Sequence, residues 1–439
     1  MRVKRLKMTS FRGIGDLTLE FPTDEPTVFI GINGVGKSSI LDCLAILLSC
    51  LLARIQFDPT SRNTFLKFKG FNSYNERERD LANGRSFNEQ DIENGKAFTQ
   101  NEIKISLDSQ DLKWSVASHK TEDSTDTNIE IVELNSISKN LRRQWKTNAE
   151  FNIPLVVYYP VNRAVFDINL EIPSENLFKQ IEAYEQALDG TQIGFSSFFQ
   201  WFRAVEDLEN EERRDNPDYR NRQIEAVRQS IYSLQPGFSN LRVKRSPLRM
   251  TVTKQGQELI INQLSDGEKC LLAMVGDLAR RLAIANPSLP DPLQGSGVVL
   301  IDEIELHLHP KWQREIIPAL TRTFPNCQFI VTTHSPQVIS DVKPDSIYIL
   351  EATPEGIVAK RPDSSFGRDS NYILEVLMGT PARKEEIKDE LLELFRLIDR
   401  GDLDGARQLR QQIADQIGAD EPELVKANVL LRRKKILNR

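Results

Sequence analysis

The stretch Gly31–Ser38, GINGVGKS, satisfies every position of the pattern G-x-x-x-x-G-K-[ST], and few short patterns restrict a fold as strongly. Before it, Thr27–Ile30 (TVFI) is a buried-strand pattern; behind it, Ser39 opens an apolar run to Leu52. Strand, glycine loop and helix in that order form the cradle for a nucleotide's phosphates. Glycines 31, 34 and 36 let the backbone turn and present N–H groups to phosphate oxygens, at a helix N-terminus whose dipole favours negative charge. The expected ATP-binding residues are Gly31, Asn33, Gly34, Gly36, Lys37, Ser38 and Ser39. Lys37 is expected to reach the β- and γ-phosphates and Ser38 to offer its hydroxyl to Mg2+.

A chain of 439 residues, 39% hydrophobic, can bury a large core in roughly two to three domains. Its formal net charge of -6 excludes a surface that is basic throughout, so DNA contact would come indirectly or through local basic patches. Met1–Phe11 alternates basic and apolar residues without the apolar core of a secretory signal, which predicts an edge-starting strand. Ile40–Leu52 is too short an apolar run to span a bilayer and is interrupted by Asp42 and Ser49, so no membrane partner is expected. Cysteines 43, 50, 270 and 327 are scattered, consistent with reduced thiols in a cytoplasmic protein.

Residues 3–21 form two alternating runs around Arg12–Gly15, a hairpin ahead of the phosphate loop. From Phe57 to about Gly95 the chain is polar and predicts irregular excursions; Ile103–Leu107 and Leu112–Ala117 predict a second hairpin turning at Ser109–Asp111. Ser118–Asn128 has almost no apolar residue and predicts a mobile surface loop. Pro154–Val161 predicts a buried strand, ending at Asn162 and Arg163 where a polar group could face the nucleotide or the insertion behind it. Phe195–Arg214 and Tyr219–Leu234, separated by Asn216-Pro217, predict a helical hairpin whose stripe of Phe198, Phe199, Phe202, Val205 and Leu208 is core. Arg242, Lys244, Arg245 and Arg249 lie on a strand-like run, a solvated basic face before a phosphate-backbone contact.

Two further strands carry chemistry. Val298–Glu303 (VVLIDE) is a buried parallel-strand pattern that delivers two acids to its carboxyl end, where α/β sites form. Asp302 is expected to hold Mg2+ and Glu303 to orient and activate the attacking water. Cys327–Thr332 runs straight into Thr333-His334-Ser335-Pro336, placing His334 where a neutral imidazole could hydrogen-bond a γ-phosphate.

Leu264–Lys269 (LSDGEK), directly before a helical run, resembles the signature motif of ABC-type ATPases. Ser265 and the Gly267 amide at that helix N-terminus can bind a γ-phosphate, which in that family belongs to the opposite subunit's nucleotide. Taken in order, GINGVGKS, LSDGEK, VVLIDE and THS resemble ABC-type ATPases of the SMC and OLD kind, with ELHLHP (Glu305–Pro310) similar to the OLD version of the loop after the acidic pair and His334 matching the switch histidine. No glutamine-loop match precedes the insertion. The resemblance implies an α/β fold: an ABC-type head whose first lobe (1–149) and second lobe (246–380) flank a strand plus helical hairpin (150–245), followed by a C-terminal helical tail (381–439). It also implies a homodimer, since each composite site takes its phosphate loop and signature from different subunits.

YYPVNRAV, FFQWFRAVEDLENE, SFGRDSNYILEVLMG and ELVKANVLLRRKKI resemble the PtuA-type ATPases of Septu and retron-associated antiphage systems. That resemblance implies an ATPase working beside a separately encoded HNH-type nuclease, PtuB. The histidines agree: of the four, at 119, 307, 309 and 334, three fall inside the ATPase motifs, so a nuclease site is expected on another chain. Defence ATPases of the AriA and AbiL type, SMC-like DNA-maintenance ATPases and transporter subunits are the alternatives. The tail, with charged and apolar residues at helical spacing over Glu385–Ile398 and Gly405–Ile417 and four cations at Arg432–Lys435, is either a cap on the second lobe or a surface that docks the nuclease.

Overall fold

Short apolar runs with no polar alternation need cover on both faces, and they become the parallel strands of the central sheet. The computed structural model describes residues 1–57, 84–120, 125–130, 132–148, 150–161, 179–190 and 195–437. In chain order, β1 (Arg2–Phe11) and β2 (Gly15–Glu20) form a hairpin, and β3 (Thr27–Ile30) feeds the glycine loop and α1 (Lys37–Gln56). β4 (Phe98–Leu107), β5 (Gln110–Lys120) and β6 (Thr125–Glu130) follow, then α2 (Val132–Thr147) and β7 (Leu155–Tyr159). The hairpin α3 (Phe195–Asp215) and α4 (Arg222–Leu234) leads into β8 (Phe238–Arg245), β9 (Leu248–Lys254) and β10 (Gln257–Ile260). Next come α5 (Asp266–Ala285), β11 (Gly297–Ile301), α6 (Pro310–Thr323), β12 (Cys327–Thr332), β13 (Ile347–Thr353) and β14 (Gly356–Lys360).

Among the described residues three sheets result. The central one runs β14-β13-β3-β12-β11-β7, parallel from β13 to β7, with β14 antiparallel at its edge. An antiparallel sheet of order β2-β1-β4-β5-β6 and a three-stranded one of order β10-β9-β8 complete the α/β framework. α1 contacts β7, β11 and β12 of the central sheet and β4 of the antiparallel one, where Trp114 Nε1 on β5 donates to the Leu47 carbonyl at 3.0 Å. By length and composition α1 could cross a membrane, since the helix continues past the apolar run to Gln56; its most apolar window is 83% buried by the fold instead.

Three expectations change. β1 is an interior strand, paired on one side with β2 and on the other with β4, rather than a sheet edge. Much of Ser118–Asn128 is strand: β5 runs to Lys120 and pairs with β6 through His119↔Asp126, because ladder hydrogen bonds hold a polar pair whose composition alone suggests a loop. In the hairpin, Phe198, Phe199, Phe202 and Val205 are buried together with Trp201, whereas Leu208 is 59% exposed between the buried Glu206 and Glu209, on the outer face of α3. Residues 58–83, 121–124, Asn162 and Arg163 lie outside the described residues.

Of the four cations in the basic run, the three on β8 are neutralised internally, whereas Arg249 on β9 has a buried Nε without a hydrogen-bond partner among the described residues. Arg242 and Lys244 pair with Glu258 on β10, and Arg245 pairs with Glu206 and Asp207 on α3. Arg228 on α4 joins Glu206 and Glu209, so buried ion pairs link hairpin and sheet.

The chain divides into two compact units, Met1–Arg368 and Asp369–Arg439. The second begins before the expected boundary near Pro381, and within it Glu375 pairs with Lys388 at 3.3 Å. It holds α7 (Glu385–Arg400), α8 (Leu403–Ile417) and α9 (Pro422–Leu437). Leu391, Leu394, Ile398, Ala406, Ile413, Ala414, Leu424 and Ala427 build its core at helical spacing.

Candidate nucleotide site

The phosphate loop takes the shape its glycines permit. Gly31, Gly34 and Gly36 have φ of 148°, 80° and 99°, and Gly36 is the left-handed N-cap of α1. A Cβ on Gly31 would lie 2.7 Å from the Leu350 carbonyl oxygen, so this position also requires glycine for space. Lys37 is buried and folds back over the loop, its Nζ donating to the Gly31 and Ile32 carbonyls at 2.9 Å each. Burial lowers the Lys37 pKa from its ordinary value, opposed by the carboxylates of Asp302, Glu303 and Glu305. The loop after β3 and the acids after β11 leave the same carboxyl edge of the parallel sheet, with only β12 between them. Asn33 and Ser38 are exposed on the loop, and the Ser39 hydroxyl lies 3.4 Å from Arg12 Nη1.

Asp302 and Glu303 follow β11, where Asp302 is buried and its amide donates to the Tyr159 carbonyl at 2.9 Å. Thr332, at the end of the adjacent β12, donates to Asp302 Oδ1 at 2.5 Å and accepts the Glu303 amide at 2.7 Å. Glu303 has φ of 47°, a left-handed conformation that a non-glycine residue holds only under tertiary constraint. His334 follows β12, its amide donating to Glu305 Oε1 at 2.6 Å, while Thr333 Oγ1 donates to Glu305 Oε2 at 2.6 Å. Glu305 therefore clamps the turn that carries His334. Sequence reasoning placed Glu305 in the ELHLHP loop without a role, and Thr332 only as a strand terminus.

Ser265 caps α5 in a reciprocal box. Its amide and hydroxyl donate to Glu268 Oε2 at 3.0 and 2.8 Å, and Lys254 on β9 pairs with Glu268 Oε1 at 2.6 Å. Gly267 is buried so tightly that a Cβ would sit 2.2 Å from the His307 carbonyl oxygen. Ser265 and Gly267 line a hollow with His307, Leu308, His309, Lys311 and Trp312, and no residue of the phosphate loop lines it. His309 caps α6 through Nδ1, which accepts the Lys311 amide at 3.3 Å.

Arg12 is a further residue that pattern matching missed. Its guanidinium bridges Asp42 on α1 and Asp91, and Arg85 pairs with Asp42 at 2.5 Å. The signal was present in the basic residue inside the hairpin turn, but its partners are distant in sequence.

The glycine cradle, the buried lysine and the paired acids fit a nucleotide triphosphate with Mg2+, for which Ser38 and Asp302 are the candidate ligands. Among the described residues no group of three or more His, Cys, Asp or Glu side chains forms another metal site. Fold and site define an α/β phosphate-loop ATPase head with an inserted helical hairpin and a helical C-terminal unit. The chain belongs to the family described as "AAA domain, putative AbiEii toxin, Type IV TA system", which matches residues 27–340. It is 30% identical to "Retron Ec83 probable ATPase" from Escherichia coli, over 99% of this chain and 87% of that one. It is 29% identical to "Septu protein PtuA" from Bacillus mycoides (strain KBAB4), over 30% of this chain and 22% of that one. It is thus an ATPase of the retron and Septu defence type. Among solved structures, an Smc head bound to the C-terminal winged-helix domain of ScpA shares 15% identity at a TM-score of 0.45, over 82% of this chain and 98% of that one.

Proposed function

We propose that two copies of this chain bind two ATP molecules between them and hydrolyse them slowly, and that the nucleotide state sets the activity of a separately encoded HNH-type nuclease in phage defence. Each composite site takes Gly31–Ser38, Asp302, Glu303 and His334 from one protomer and Ser265 and Gly267 from its partner. The observation that carries this reading is the hollow around Ser265 and Gly267, which lacks every phosphate-loop residue of its own chain.

Backbone amides of the loop and Lys37 hold the phosphates, Lys37 exchanging its two carbonyl partners for phosphate oxygens. Bound Mg2+ would neutralise charge on the β- and γ-phosphates, held by Ser38 and Asp302. Glu303 accepts a proton from the attacking water as it adds to the γ-phosphorus, and the β–γ bridging bond breaks to release ADP and phosphate. His334, on the turn clamped by Glu305, hydrogen-bonds the γ-phosphate and reports its loss. Nuclease chemistry is assigned to the partner, and the helical tail is the proposed docking element, supported by exposed apolar residues Val425, Val429 and Ile436 on one face of α9.

The test is Glu303→Gln, which should retain ATP affinity while slowing hydrolysis by about two orders of magnitude or more, as removal of a general base does. Hydrolysis at the parent rate would reject Glu303 as the base. Deleting residues 384–439 should abolish co-purification of the nuclease while ATP binding persists; retention of the nuclease by a truncated, ATP-binding chain would move the docking surface to the α3–α4 hairpin.

A further inference from the structure

A helix disperses a run of four cations, and in α9 it does so unequally. Lys434 turns to the end of α7 and donates to the Ile398 and Asp399 carbonyls at 2.6 and 2.8 Å. Arg432 and Lys435, three residues apart on another face, line a groove with Arg407 and Arg410, which are three apart on α8. Gln411 and Asn428 supply amides along it, Leu431 is its apolar floor, and no carboxylate lines it.

The contrast with the basic run on β8 is the informative point. There the cations have acidic partners within the fold, whereas Arg410, Arg432 and Lys435 make no hydrogen bond or ion pair among the described residues, and Arg410 Nε is buried without an acceptor. Arg407 alone has a partner, the exposed Asp404 on its own helix at 2.8 Å. Like charges at helical spacing repel, and an anion between them would relieve that repulsion.

We propose that this groove binds the phosphodiester backbone of a nucleic acid. Four cations on two facing helices match several phosphates rather than one, and guanidinium forks donate bidentately to phosphate oxygens. A peptide would need apolar anchors, and the groove offers only the buried Leu431. On α9 the groove borders the face bearing Val425, Val429 and Ile436, since Arg432 lies three residues after Val429 and four before Ile436, whereas Arg407 and Arg410 belong to α8.

The experiment measures anisotropy of short fluorescein-labelled single-stranded and duplex DNA with the full-length chain, titrated in salt. The parent should bind at least one of them with log K falling linearly in log salt, and the Arg410→Gln, Arg432→Gln, Lys435→Gln triple variant should lose about 2–3 from that slope on duplex and bind about tenfold or more weakly. Lys435→Gln alone should lose about one, which keeps the test open if the triple variant fails to fold. Arg410→Lys with Arg432→Lys should keep most of the slope, and Arg396→Gln on α7 should keep all of it. ATP binding by each variant reports that the head is intact. The proposal is overturned if the triple variant binds DNA as the parent does, if neither probe binds, or if polyglutamate or inorganic phosphate displaces DNA at equal charge concentration.

Discussion

Thr332 Oγ1 donates to Asp302 Oδ1 at 2.5 Å and accepts the Glu303 amide at 2.7 Å, so one hydroxyl at the end of β12 fixes both acids at the end of β11. Thr332→Val keeps the shape and removes the hydroxyl, leaving a buried carboxylate and an amide each short of a partner. The expected loss is about 1–3 kcal/mol of stability, measured by denaturant unfolding, with a lower kcat for ATP. Thr332→Ser should restore both, which separates the hydrogen bonds from the methyl group.

Gly267 faces the His307 carbonyl so closely that Gly267→Ala must displace either the start of α5 or the ELHLHP loop. Because the phosphate loop is remote from this contact in sequence and does not line the hollow, ATP binding should be retained while turnover falls about tenfold or more, the pattern of a lost transition-state contact. Equilibrium binding of a fluorescent ATP analogue and steady-state hydrolysis together check it; equal losses in both would indicate general disruption.

Glu268 has its two oxygens committed, one to Ser265 and one to Lys254. Lys254→Met should therefore loosen the cap of α5 and lower kcat more than it raises KM for ATP, and Lys254→Arg should recover most of the change. An effect confined to thermal stability would make the ion pair merely structural.

Asp277 on α5 accepts from Arg280, Arg281 and the Tyr159 hydroxyl, tying this helix to β7. Full burial alone would raise its pKa, but Arg281 and Arg280 lower it to about 2. An unfolded aspartate titrates near about 3.9, so this group's stabilisation is complete above that pH and is lost as pH falls toward 2. Asp277→Asn strands two buried guanidinium groups and should cost about 3–5 kcal/mol at neutral pH. Calorimetry should also show that the variant loses less stability than the parent on acidification.

Much of this was legible because it is local. The loop Gly31–Ser38 and the acids after VVLI are contiguous patterns whose fold context is also contiguous, so strand, turn and helix could be placed from spacing. Glu305 and Arg12 were not legible as site residues, because Glu305 acts on a turn 28 and 29 residues later and Arg12 on carboxylates 30 and 79 residues away. The β5–β6 pairing was hidden for a different reason: ladder hydrogen bonds carry it and leave no trace in hydropathy. The run Arg432–Lys435 was visible as charge, but only the helix shows which cations are used internally and which face the groove.

The most direct test is ATP hydrolysis by verified heterodimers of Lys37→Ala and Ser265→Arg chains. Each homodimer should be inactive, one lacking its phosphate-binding lysine and the other its signature serine. In the mixed dimer one composite site receives the intact phosphate loop of the Ser265→Arg chain and the intact signature of the Lys37→Ala chain, so partial hydrolysis should return. No recovery in such heterodimers would contradict sites shared between protomers and would place the complete ATPase within a single chain.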